Sequence, residues 1–395
     1  MAETFQVAPD KMWSLSPGEM ERRWSLVRHR LIERGLDALV IQSYEDKSGG
    51  YVKWLTDVPA GYPRTVVFHA NDWMSVVDHG AHGEIRVLDG RDPKQPGVGE
   101  IISNWGFFNA HYNQHLNAAD TIGILRKRGY RKIGLVNGGG LPHRFVQDLS
   151  EEIDIVDETD FIDGLKARKS VEEIGLIRRT AAAQDAAFEM LLNHVKPGMR
   201  DFEINAFLDY QLQLRGAERG TYIGHSAPIG KPATFAYRHF QGRTMAKGDH
   251  ICVLLESNGA GGLWTEIART ICFGRASSEL RDGFELCKAS QLATSQWCVP
   301  NAAPAEIFAR YNEYMTSHGA GPERRLHSHG QGHDMVERPL IREDETMSLF
   351  AGCNLAIHPT HATPSMFAHI CDNFVIDESG HGEFIHATPK QIFEL

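Results

Sequence analysis

The chain has 395 residues and a formal net charge of −10, long enough for two domains rather than one ordinary core. Its acidic balance excludes the positive field that nucleic acid or an anionic membrane requires of a main partner. No apolar run approaches the roughly 18 residues of a membrane span, and Met1-Ala2-Glu3-Thr4 lacks a basic-then-apolar secretory pattern, so a cytoplasmic enzyme is expected. Cys252, Cys272, Cys287, Cys298, Cys353 and Cys371 show no CxxC spacing and read as reduced core thiols.

In chain order, Pro17 to Arg34 predicts an amphipathic helix with Met20, Trp24, Val27 and Leu31 on one face and Gly35 as its stop. Ala38–Ile41 then reads as a buried strand, opening an α/β domain, with further strands at 65–68, 74–77 and 133–136. The triplet Gly138-Gly139-Gly140 lacks both GxGxxG spacing and a following Lys-Ser/Thr, so it reads as an ordinary turn. Between Asp160 and Glu189 the pattern predicts one long helix, with Lys166, Arg168, Lys169, Glu172, Glu173, Arg178 and Arg179 toward solvent. A boundary near Gly164 divides the chain into domains 1–163 and 164–395. The second is expected to mix helices at 201–215, 280–297 and 305–318 with strands at 251–255, 268–273, 354–358 and 373–376.

The densest chemistry lies in His327-Ser328-His329-Gly330-Gln331-Gly332-His333, followed by Glu337-Arg338-Pro339. Imidazoles at this density, with glycines that let backbone approach a ligand, mark a candidate site on a turn.

An ordered set of motifs across residues 160–390 resembles the creatinase, prolidase and methionine aminopeptidase superfamily. Leu165–Ile174 is similar to its "R-x-x-K-s-x-E-E-I" signature with Lys166 in the Arg place, and Lys196-Pro197-Gly198-Met199 to its "kpG" turn. Lys247-Gly248-Asp249 and Thr265-Glu266-Ile267-Ala268-Arg269-Thr270 resemble "G-D … s-D-i-t-R-T". His329–Gly332 is similar to "H-G-x-G", Glu337–Pro339 to "E-x-P", Ile357–Pro359 to "x-E-P", and Cys371–Ile376 to "E-D-x-v-l-v". The resemblance implies an α/β two-domain chain: a creatinase-type N-terminal α/β domain and a C-terminal pita-bread α+β domain. Tyr51–Thr56 resembles the "Y-L-T" strand of such N-terminal domains. In those homodimers the N-terminal domain closes over the partner's site, which implies a contribution from Trp54, Tyr62 or Arg64.

Metal-dependent members hold a pair of divalent ions with two Asp, one His and two Glu, because hard cations and an activated water need convergent anionic oxygens. Here only the histidine, His329, is retained. Glu266 stands in the second Asp place and His358 in the first Glu place, while the last Glu place falls on Cys371 or, with a one-residue gap, Asp372. The first Asp place carries Leu254; the nearest carboxylate, Glu256, is two residues further along the same strand face. Either Glu256, Glu266, His329, His358 and Asp372 form a rebuilt site for iron, zinc or manganese, or the metal has been lost, as in creatinase and ectoine hydrolase-like members. The metal-free reading is favoured, since a bridged pair tolerates only about 0.2 Å of error in ligand distance.

In that reading His239, preferred over His225, shuttles a proton. Glu256 or Glu266 serves as nucleophile or base, and His329 and His358 stabilise an oxyanion or protonate the leaving nitrogen. His225, Trp264, His333, Glu337 and Trp54 are candidates to bind substrate, with aromatic residues such as Phe235 and Tyr237 as a wall for a cation. The bland alternatives are an Arg269-paired Glu266 that anchors a strand, a loop histidine at 225, and aromatics that are simply core. The leading expectation is a homodimeric hydrolase of a C–N bond in a small polar or zwitterionic compound. Behind it stand a metal-assisted lyase resembling dimethylsulfoniopropionate lyase, with Asp334 as base, and a non-catalytic binding module. A proline-specific peptidase comes last, because it calls for the two-metal site.

Overall fold

Ser16 starts the first helix: its hydroxyl accepts from the Glu19 amide, Pro17 fills the first turn, and Gly35, at φ 61°, ends the helix at Arg34. Met20, Trp24, Val27 and Leu31 are all buried, as their spacing requires. The structure is a computed structural model that describes residues 10–43, 50–107 and 109–395. Met1–Thr4, read above for a secretory pattern, lie outside the described residues. The chain divides into two units, Met1–Lys166 and Ala167–Leu395. Among the described residues no helix is long and apolar enough to cross a membrane.

The first unit is built on a seven-stranded mixed sheet in the order Ile85–Val87, Val98–Asn104, Met74–His79, Arg64–His69, Ala38–Ser43, Lys132–Leu135, Asp154–Asp157. Ala118, Ile124, Leu125, Phe145 and Leu149, from helices Leu116–Lys127 and His143–Ser150, pack with Val40, Val67, Val77 and Ile133 of the sheet. The Gly138–Gly140 triplet forms a single 3-10 turn. One expectation is corrected here: Tyr51–Thr56 belongs to a helix, Gly50–Thr56, not a strand. The Thr56 hydroxyl donates back to the Val52 carbonyl at 2.8 Å and closes the last turn.

The long helix expected over 160–189 is two, Thr159–Ala167 and Val171–His194. Ser170 and Glu173 form a capping box that restarts the helix, a local signal stronger than the continuous charge pattern around it. Lys166, Lys169 and Glu173, expected at solvent, are buried. Lys166 sits 3.9 Å from the Tyr51 ring centroid, Lys169 pairs with Glu337, and Glu173 closes the cap.

The second unit holds two main sheets. One runs Phe393–Glu394, Trp264–Cys272, Asp249–Asn258, Gly220–Ile223; the other runs Glu337–Ile341, Ser328–Gly330, Asn354–Ile357, Asp372–Ile376, Gly382–Phe384. Helices Val171–His194 and Asp201–Gln213 cover the first through Phe188, Leu191, Ile204 and Leu208 against Ile251, Val253, Leu255 and Ile267. Helix Pro304–Ser317 sends Ile307 and Phe308 into the core of the second, against Ile341, Leu355, Ile357 and Ile376. All six cysteines are buried and free.

The two sheets meet along one strand. The amides of Trp264, Glu266 and Ala268 donate to the Gly332 carbonyl (2.7 Å), Asn373 Oδ1 (2.6 Å) and the Cys371 carbonyl (3.1 Å), from the other sheet and the segments joining its strands. Arg269, next on the same strand, is fully buried and clamps Asp372 with Nη2 to Oδ1 at 2.6 Å and Nη1 to Oδ2 at 3.2 Å. Its remaining donors reach the carbonyls of Cys371, Thr388 and Pro389. Burial raises the Asp372 carboxyl, but Arg269 and Lys390 more than reverse this and hold it below its ordinary range. Removing one member of such a pair strands a buried charge. We expect Arg269→Leu to cost about 3–5 kcal/mol in denaturant unfolding; a loss below about 1 kcal/mol would show that the clamp does not secure the seam.

Candidate active site

Glu256 and Glu266 are placed by strand register. In the antiparallel pair Asp249–Asn258 with Trp264–Cys272, Glu256 lies directly opposite Glu266, so Glu256, rather than Leu254 or Leu255, supplies the second carboxylate. His329 comes from the other sheet. Its segment, read above as a turn, is the strand Ser328–Gly330, held between Glu337–Ile341 and Asn354–Ile357. Gly330 is required there by close approach, since a Cβ would lie 2.6 Å from the Arg338 carbonyl oxygen.

These three side chains converge: one donor atom from each of Glu256, Glu266 and His329 lies within 4.8 Å of the others, and all three are buried. His329 Nε2 is 3.6 Å from Glu266 Oε2, and its Nδ1 is 3.0 Å from the Gly330 carbonyl oxygen. That carbonyl can only accept, so it fixes a proton on Nδ1 and leaves Nε2 facing the carboxylates, able to donate to Glu266 when protonated and to offer its lone pair to a cation when not. Gln331 Nε2 donates to Glu256 Oε1 at 2.8 Å; Asn373 Nδ2 in turn donates to Gln331 Oε1 (2.9 Å) and Asn354 Oδ1 (3.0 Å). Burial raises the Glu266 carboxyl, but contact with His329, then His358 and the Cys371 thiol, overcomes this and brings it down to about 2.

Beside the cluster runs a row of rings. The His329 and His358 centroids are 5.1 Å apart, and His358 stacks toward His369 at 6.2 Å. Phe235 meets His369 edge-on at 5.0 Å. Burial pulls His358 down to about 4 and His369 to about 3, so both rings are neutral near pH 7.

The other expected site residues lie as follows. Asp372 is held by Arg269 and is not one of the three converging groups. Glu266 therefore does not form the anchoring pair with Arg269 considered above. His333 has Nε2 3.8 Å from Glu173 Oε1, and Glu337 is paired with Lys169. Trp264 is fully buried at the seam. His239 lies exposed on the 3-10 turn Arg238–Phe240, its ring against Phe240 and Tyr237. His225 is half-buried after the strand Gly220–Ile223. In the first unit Trp54 is fully buried, with the Arg23 guanidinium 5.2 Å over its ring. Sequence reasoning missed Gln331, Asn373 and His369. The first two stand inside quoted motifs, but His369 carries no local signal beyond its place two residues before Cys371.

The family model for metallopeptidase family M24 matches residues 175–378, and the chain belongs to that family. It is similar to the Xaa-Pro dipeptidase of Pyrococcus furiosus, 24% identical over 252 residues that cover 61% of this chain and 70% of that protein. Among solved structures it resembles an Xaa-Pro dipeptidase from Bacillus anthracis, with TM-score 0.75 and 19% identity over 95% of this chain and all of that one. An X-Pro aminopeptidase from Thermotoga maritima gives TM-score 0.76 and 17% identity over 95% and 99% of the two chains. The two-domain pita-bread fold expected from the motifs is thereby shown.

These findings correct the functional expectation. A hydrolase of a non-peptide C–N bond, and with it the lyase and binding-module alternatives, gives way, because the relatives are Xaa-Pro dipeptidases. The physical reason is visible in the register: exchanging Asp for Glu and moving one carboxylate two residues along its strand still leaves two carboxylates facing one imidazole. Gln331→Ala removes the donor that aims Glu256. It is expected to weaken divalent-ion affinity about 10–100-fold in calorimetric titration, and unchanged affinity would make the Gln331 contact incidental.

Proposed function

We propose that this chain is a metal-assisted peptidase that cleaves the bond before proline in short Xaa-Pro peptides. The observation that carries the reading is that residues 175–378, matched by the M24 family model, contain the buried cluster of Glu256, Glu266 and His329, in a chain similar to Xaa-Pro dipeptidases. The donor set fits one ion: two carboxylates and an imidazole suit manganese, iron or zinc. Two like charges directly opposite across strands repel unless a cation or proton lies between them. A divalent ion held by Glu256, Glu266 and His329 would polarise the scissile carbonyl and lower the pKa of a bound water.

The chain's own residues supply the remaining steps. A carboxylate of the pair takes the proton of the attacking water as its oxygen bonds to the carbonyl carbon. His358, neutral and buried, offers an N–H to the oxyanion that develops. The proline nitrogen carries no hydrogen in the peptide, so the C–N bond breaks as that nitrogen accepts the proton returned by the carboxylate. Phe235, packed edge-on against His369, gives the imidazole side of the cluster an apolar neighbour.

Chelator-treated protein reloaded with manganese or zinc is expected to release proline from Ala-Pro about 100-fold faster than alanine from Ala-Ala. Glu266→Gln is expected to lower kcat at least about 100-fold. Equal cleavage of both peptides, or none of Ala-Pro with any divalent ion, would overturn the reading.

A further inference from the structure

We propose that the centre takes one divalent ion per chain, on Glu256, Glu266 and His329, and that His358 and His369 are left to bind substrate oxygen atoms instead of a second ion. The inference rests on the metal-assisted reading above, but its test needs no substrate.

Charge decides the stoichiometry. Glu256 and Glu266 contribute one negative charge each, which a single divalent ion neutralises. A second would leave two positive charges in a buried site, where uncompensated charge is strongly unfavourable. Among the described residues, neither Asp372, the neighbouring histidines nor Cys371 meets that charge. Asp372 is already neutralised by Arg269, with Gln291 Nε2 also donating to it at 3.1 Å. His358 and His369 carry no negative charge in any ordinary protonation state. Cys371 has its Sγ 3.8 Å from the backbone oxygen of Glu266 and falls outside the converging set.

Geometry gives the imidazoles their own task. His369 Nδ1 lies 2.8 Å from the Thr360 hydroxyl, which can donate to it, and in that tautomer the ring proton sits on Nε2. That Nε2 is buried and meets no hydrogen-bond partner among the described residues. A buried donor without a partner is unfavourable, so it is matched to an acceptor that arrives with the ligand. A peptide carbonyl or carboxylate oxygen has that chemistry.

The deciding experiment is elemental analysis and calorimetric titration of manganese or zinc into chelator-treated full-length protein. Wild type, Glu256→Gln, Glu266→Gln, His358→Ala and His369→Ala are compared, with circular dichroism melting to show that each is folded. The expected result is about one ion per chain in wild type and in both histidine variants, with at least a 10-fold loss of affinity in whichever glutamate variant folds. Two ions in wild type, no ion at all, or loss of the ion in His358→Ala or His369→Ala would overturn the proposal. Failure to cleave Xaa-Pro peptides would leave this metal count intact, so the two readings fail separately.

Discussion

The second unit depends on one strand serving two sheets. Trp264–Cys272 pairs along its length with Asp249–Asn258, yet its amides at Trp264, Glu266 and Ala268 also donate across the seam. A strand tied on both sides cannot slip by one residue without turning every side chain to the other face. Glu266 is therefore fixed relative to Glu256 by one sheet and relative to His329 by the other. Arg269 reinforces the same point by binding Asp372 and the carbonyls around it.

That constraint explains why so much polarity is buried where the sheets meet. Glu256, Glu266, Gln331, Asn354, Asn373, His329, His358 and His369 are all largely out of solvent. Buried polar groups persist only when partnered. The amides of Gln331, Asn354 and Asn373 partner one another and Glu256. Toward one point beside them face two opposed carboxylates and an imidazole, donor types that a divalent cation takes. The clamp on Asp372 has a converse effect, because a carboxylate committed to Arg269 is not available to a metal.

Legibility in the sequence tracked how local each signal is. Ser16, Pro17 and Gly35 bound the first helix by short-range rules, and its ends match the structure. The ordered motifs, each spanning only a few residues, were enough for the fold. The break at Ser170 was also locally written, as Ser-x-x-Glu, but continuous charge on either side masked it. Tyr51–Thr56 reads as a strand through its resemblance to a motif alone, and the seven residues of the helix are too few to show a helical period against it. Which residue near Leu254 faces the site depends on pairing with another strand, and no local pattern encodes that. His369 joins the ring row only because the hairpin Thr360–Ala362 with Phe367–His369 folds back on itself. The functional expectation failed for a related reason: substitutions scored one position at a time look like loss, whereas register shows that the carboxylates are kept.

The most direct measurement is anomalous diffraction at the metal edge from crystals of protein loaded with manganese or zinc. One anomalous peak is expected, about 2.0–2.2 Å from an oxygen of each of Glu256 and Glu266 and about 2.0–2.1 Å from His329 Nε2. A peak centred elsewhere, or no peak among these three residues, would contradict the claim that the seam between the sheets builds the catalytic centre.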